Sequence, residues 1–203
     1  MPQSKLDKKV LAKYAECVEE VKRRVQVIQE ILAGQIHTKF VMTTAESLAL
    51  QFRNVLELIV LASLVANKEE YAKRRENFHK EWRVKDIIKQ LEEINPKYYP
   101  KPYRDKPDGD KEIEDITSGY LTKNEYLILF SECNKMIHAD NPFAPRKKNP
   151  ETFLRFAKNW RKKISLLLNQ HRVQLIDTKV EIWVLMQKST DGNVGVYEFQ
   201  QVP

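Results

Sequence analysis

Glycine is scarce in this chain, at 5 of 203 residues. Few glycines leave few of the positive-φ turns on which β-sandwiches and barrels rely, so an all-β fold is disfavoured. Cysteine is scarcer still. Cys17 and Cys133 stand far apart, and neither has a C-x-x-C or C-x-x-H partner. A disulfide framework is excluded and structural zinc is not expected. The opening, MPQSKLDKK, has no charged-then-apolar leader pattern, so a cytosolic protein with reduced thiols is expected. The longest apolar run, Val55 to Ala66, is broken by Glu57. It falls short of the roughly 20 residues that a membrane span needs, and a buried central helix is expected instead. No P-loop, GxGxxG, HExxH or GxSxG pattern occurs, which argues against NTPases, dinucleotide enzymes, zincins and serine hydrolases. No metal and no cofactor is implied.

Charge is what the chain has in abundance. Charged residues make up 31% of it, and 35 Lys and Arg against 28 Asp and Glu give a net charge of +7. A glycine-poor, Leu/Lys/Glu-rich composition favours helices. The positive excess favours phosphate-bearing partners, nucleic acid above all. The length suits one domain, or one domain with an appendage.

Periodicity supplies the elements. Over residues 5 to 33, Tyr14, Val18, Val21, Val25, Ile28 and Leu32 step by threes and fours along one helix face, which Gly34 terminates. Thr43-Thr44-Ala45-Glu46 reads as a capping box opening a second helix, apolar nearly all round, to about Asn67. Residues 68 to 94 carry helical stripes, with Tyr71, Phe78 and Trp82 on one side and then Ile87, Leu91 and Ile94. Residues 95 to 121, with four prolines before Gly109, read as a long irregular connection. Thr122-Lys123-Asn124-Glu125 is a second capping box, and its helix ends near His138. Asn149-Pro150 opens the last helix, with Phe153, Ala157, Trp160, Ile164, Leu167 and Leu168 on its core face. The period then changes. VQLIDTKVEIWVLMQ and VGVYEFQQV flank Asp191-Gly192, a strong two-residue hairpin signal. The expected fold is mainly α: an antiparallel bundle of about five helices over 1–172, and a C-terminal β-hairpin over 173–203 that packs on the bundle or on a partner.

Three groups of residues bear on function. His138 follows Asn134 by one helical turn, so the two share a face, and a near-neutral histidine there suits acid–base work on a ribose 2′-hydroxyl. The plainer reading is a histidine at a helix C-terminus, favoured by the dipole, before an Asn-Pro stop. Arg53 and Glu57, at i,i+4 in the apolar second helix, suit a local ion pair facing a neighbouring helix or a dimer mate. The third group is basic. Arg146, Lys147 and Lys148 precede the last helix, and Arg155, Lys158 and Lys162 share its outer face. Such a patch can track a phosphate backbone, or it is simply a solvated face. Tyr98, Tyr99 and Tyr103 suit base stacking or pinning of their loop to the core. His37, His79 and His171 are isolated and receive no role.

The helix order, the apolar QFRNVLELIVLASL and the late MIHADNPF together resemble the HEPN superfamily, over roughly residues 5 to 170. That resemblance implies a bundle of four to five helices and a homodimer. It also implies a role in prokaryotic toxin, defence or RNA-processing systems, in many members as a metal-independent endoribonuclease. The motif histidine falls on His138. The motif arginine has no counterpart, since Ser131, Glu132, Cys133 and Asn134 occupy the positions seven to four before His138. Under this reading His138 is the acid–base group, Asn134 orients it, and Arg53 or Arg146 stands in for the arginine. RNA is the expected partner. The alternative is a non-catalytic subunit that docks a partner protein through its C-terminal hairpin, whose exposed edge invites strand addition.

Overall fold

The second helix organises the molecule. In the computed structural model, which describes residues 7–74, 84–106, 112–140, 142–143, 148–176 and 180–200, α2 runs Val41–Ala66. By length and composition it could cross a membrane, yet more than half of its apolar window is buried inside the fold. It packs against α1 (Lys8–Leu32), α4 (Val84–Ile94), α5 (Lys123–Ile137) and α6 (Pro150–Leu168). Phe52, Val55 and Leu56 are fully buried among them. A helix that is apolar on all sides needs such a jacket, and its composition is that of a core helix. With the short α3 (Lys68–Arg74), six helices stand among the described residues. Phe78 and Trp82 lie outside them.

The helix signals hold in most places. Thr122 and Glu125 form the capping box that opens α5, and the Asn149 side chain accepts from the Thr152 N–H ahead of Pro150. The Thr43–Glu46 box does not form. The helix begins three residues earlier, at Val41, with Phe40 in the cap position and no side-chain cap. Thr43 lies inside the first turn and donates its hydroxyl to the Phe40 carbonyl (2.9 Å).

The expected hairpin is part of a larger structure. A five-stranded antiparallel sheet has the order β2-β1-β3-β4-β5, with β1 Lys101–Asp105, β2 Ile113–Asp115, β3 Gln170–Gln174, β4 Val180–Leu185 and β5 Gly195–Gln200. The β4–β5 hairpin forms, but residues 186–194 join its strands in place of a two-residue turn at Asp191-Gly192, and Gly192 turns at φ +72 within that loop. The stretch expected to be irregular supplies β1 and β2, and VQLIDTKVEIWVLMQ splits into β3 and β4. Strand β1 is short and proline-bearing. It is held because Pro102 pairs with His171 while Tyr103 pairs with Asp115, so two half-length ladders meet in one strand.

One face of the sheet closes a second core. Val173, Val180, Ile182 and Val184 pack on Tyr14 and Val18 of α1 and on Ala62 and Ala66 of α2. The hairpin loop is pinned as well: the Val194 N–H donates to Glu19 (2.6 Å), and Lys22 donates to the Gly192 carbonyl. The opposite face carries an aromatic row, with ring centroids 5.0 Å apart for Tyr103 and Trp183 and 4.6 Å apart for Trp183 and Phe199. Tyr98 and Tyr99 pin the segment before β1. Tyr98 is buried, and the Tyr99 hydroxyl donates to the Leu121 carbonyl (2.9 Å).

His171, given no role from the sequence, fastens bundle to sheet. Its Nδ1 lies 3.0 Å from the Leu168 carbonyl, which can only accept, so Nδ1 carries the proton and Nε2 accepts from the Tyr14 hydroxyl at 3.2 Å. Complete burial holds the imidazole neutral and lowers its pKa to about 4. The unfolded chain takes up that proton near pH 6.5, so between pH 6.5 and 4 stability falls as pH falls, by about 3 kcal/mol across the window. Urea midpoints should therefore drop more steeply with acid in wild type than in His171→Gln. Parallel pH profiles for the two proteins would remove this account.

Candidate functional site

Helix α5 has two working sides. Asn134 and His138 lie on one, while Glu132 and Met136 stand ~160° around the helix from Asn134. His138 is the C-cap of α5 and is exposed, and its N–H donates to the Asn134 carbonyl (3.4 Å). Arg53 sits higher on the same side. Its Nε bonds Glu57 (2.9 Å), and its guanidinium lies 5.9 Å from the Phe130 ring centroid. Phe130 precedes His138 by eight residues, about 12 Å of helix axis. Arg53 is thus held by a carboxylate and a ring near the middle of α5, and His138 stands at its end. The neighbouring Cys133 is buried, which pushes its thiol up to about 12 in spite of the Arg53 charge.

The other side of α5 faces α6 across an open groove of about 710 Å³. Met136 and Phe153 form its apolar floor, with Phe52 edge-on beneath Phe153 (centroids 6.5 Å apart). The α6 wall carries Phe156 and Trp160, spaced i,i+4, and Phe156 is 51% exposed. The α5 wall carries Glu132 and Lys135, bonded to each other at 2.7 Å, with Asp140 beyond the helix end. Two clamps set the width. At one end the Leu121 N–H donates to the Lys163 carbonyl (3.0 Å), and the Lys163 ammonium bonds Glu125. That bond is the leading reason the Glu125 carboxyl is held below its usual range. At the other end is Lys148.

The expected basic residues fall into three groups. Arg146 and Lys147 lie outside the described residues. Lys148 is not a surface cation: its side chain is 9% exposed, and its Nζ donates to the Met136 carbonyl (2.7 Å) and lies 3.8 Å from Glu46. It closes the negative end of the α5 dipole from the loop that follows. Arg155, Lys158 and Lys162 are exposed and form no ion pair with any described residue. They point away from the core on one stripe of α6. Arg155 leans over the Phe156 ring (5.2 Å), and so joins that stripe to the groove rim.

Sequence reasoning set Trp160 on the core face, weighed Lys135 only as a cation too close to His138 to replace the motif arginine, and gave Phe156 and Glu132 no role. Phe156 follows Thr152 by four, a spacing visible in the chain, but the groove it borders exists only because α5 and α6 are held apart. Asn134 stands on a different side of α5 from the groove, and Ala139 and Asp140, which follow His138, line the groove's end. Among the described residues there is no group of three or more His, Cys, Asp or Glu able to hold a metal ion.

Lys148 and the α6 row should separate in a stability assay. Lys148→Met leaves the Met136 carbonyl and Glu46 without their cation and should cost about 2 kcal/mol. Arg155→Ala, Lys158→Ala and Lys162→Ala should each stay within about 0.5 kcal/mol of wild type in chemical denaturation. An unchanged Lys148→Met midpoint would show that the clamp contributes nothing. The chain matches no family model, no curated protein and no solved structure.

Proposed function

We propose that this chain is a single-stranded RNA-binding domain of the HEPN-like kind, serving a prokaryotic toxin or defence system. One observation carries the reading. Arg155, Lys158 and Lys162 form a solvent-facing row with no ion pair to any described residue, and a half-exposed aromatic ring lies at its edge. On α1, by contrast, Glu20 balances Arg23 and Arg24. Cations beside an exposed ring suit a flexible strand, whose phosphates meet the charge and whose bases meet the ring. A net charge of +7 favours the same class of partner.

The test is fluorescence anisotropy with a labelled 12-mer across a salt series. Three phosphate contacts predict a slope of about −2 in log K against log salt. The triple variant Arg155→Ala/Lys158→Ala/Lys162→Ala should lose most of the affinity and most of the slope. A flat salt series, or a triple variant that binds like wild type, would overturn the reading. Cleavage is read in the same samples with chelator present. Binding without cleavage is the outcome expected from the separation of Arg53 and His138 along α5. Strand scission abolished by His138→Ala would instead make the chain a metal-independent ribonuclease.

A second reading, docking of a partner protein by strand addition, is favoured by β5. This edge strand, GVYEFQ, has neither lysine nor proline to blunt it. Association that ignores salt and is lost in Val196→Pro would favour that reading over the first.

A further inference from the structure

We infer that the groove between α5 and α6 is a base pocket selective for guanine, holding one unstacked nucleotide of the strand whose phosphates follow α6. The inference rests on the RNA reading above and names what that site selects.

The groove's chemistry sorts a nucleotide into its parts. Two carboxylates, Glu132 and Asp140, and two ammonium groups, Lys135 and Lys148, line it, and both cations are already engaged, Lys135 by Glu132 and Lys148 by the Met136 carbonyl and Glu46, so the groove offers a phosphate no free charge. The unpaired cations lie outside it, on the solvent side of α6. The phosphates therefore stay on the outer stripe, and the flat, neutral base is the part that enters. Arg155 marks the crossing point, since its guanidinium covers the Phe156 ring at the groove rim. Inside, Phe156 and Trp160 offer one aromatic wall, and Met136 and Phe153 a dry floor. A base stacked on such a wall gains affinity whatever its identity.

Identity comes from the opposite wall. Glu132 and Lys135 stand one turn apart on α5, a carboxylate beside an ammonium, at 2.7 Å. Guanine's Watson–Crick edge carries an acceptor, O6, beside two donors, N1–H and the N2 amine. The ammonium complements O6, and the two carboxylate oxygens complement the two donors. Adenine offers one amine and an acceptor nitrogen that faces the carboxylate unfavourably. Cytosine offers one amine and two acceptors. Uracil offers one N–H between two acceptors, so an acceptor faces the carboxylate where guanine places its second donor. The Glu132–Lys135 bond must open to admit guanine. With side chains 48% and 68% exposed, that bond is a surface pair of small worth, so the exchange favours the base.

The experiment uses the full chain and four labelled strands: U12, and U12 with one central residue replaced by guanosine, inosine or adenosine. U12 reads the strand surface alone. The guanosine strand should bind about tenfold tighter than the adenosine strand. Inosine, which keeps O6 and N1–H but lacks the N2 amine, should fall between them. In Glu132→Gln the guanosine-to-adenosine ratio should drop to near one, a comparison made within one variant and so independent of its overall affinity. Equal binding of the guanosine and adenosine strands by wild type overturns the inference, as does a preference that survives in Glu132→Gln. If U12 binds with the expected salt slope in those cases, the RNA reading stands without the pocket. If no strand binds at low salt, the RNA reading falls and the inference with it.

Discussion

Burial of α2 is the constraint on which the other elements depend. A helix with apolar residues on every side gains most when other elements surround it, and four helices do so here. Placing α5 and α6 around that one cylinder decides which of their sides meet and which remain free. The two are close enough to be clamped at both ends, yet far enough apart that Met136 and Phe153 floor an open cleft. The polar residues of α2 fit the same logic. Arg53 and Glu57 neutralise each other, and the ring of Phe130 covers the cation, so a charged pair sits beside the core without an orphaned charge.

The charges of the molecule divide by use. Lys148 and Lys163 are structural: one closes a helix end and the other joins α6 to the start of α5. Arg172 is held between Asp115 (2.8 Å) and Glu181 (3.6 Å) on the outer face of the sheet. Arg155, Lys158 and Lys162 have no such partners among the described residues. Sequence counting treats all of these cations alike, and geometry separates them. This is why, among the described residues, the basic cluster divides into an exposed three-residue row and two clamps, Lys148 and Lys163.

The helices were legible because their signals are local. Thr122 with Glu125, and Asn149 with Pro150, lie within one turn of what they cap, and heptad-like stripes such as Tyr14-Val18-Val21 sample only their own helix. The box at Thr43 misled because Met42 already packs against the core, and the helix extended past a cap its side chains could have made. Strand β1 was hidden among prolines because one of its partners is remote: Pro102 pairs with His171, and no local pattern announces that, while the three-residue β2 pairs with β1 alone. The site was legible in its outer half. The spacing of Arg155, Lys158 and Lys162 is a property of one helix. The groove was not legible, since it is a distance between two helices. His171 was overlooked for the same reason, since its meaning lies in Tyr14, at the other end of the chain.

The pairing of β1 with β3 spans everything that β2, α5 and α6 contribute. The groove-bearing helix pair is therefore a long excursion whose two ends are tied together by one short ladder. Closing such an excursion has an entropic cost that local helix formation does not, so the tie is expected to form after the helices it encloses. Once formed, it restrains α5 and α6 from their roots. Any motion that spreads them widely enough to empty the cleft must strain the ladder at Lys101 and Pro102. The strand that looked least ordered in the sequence is the tether that ties the approach to α5 to the end of α6.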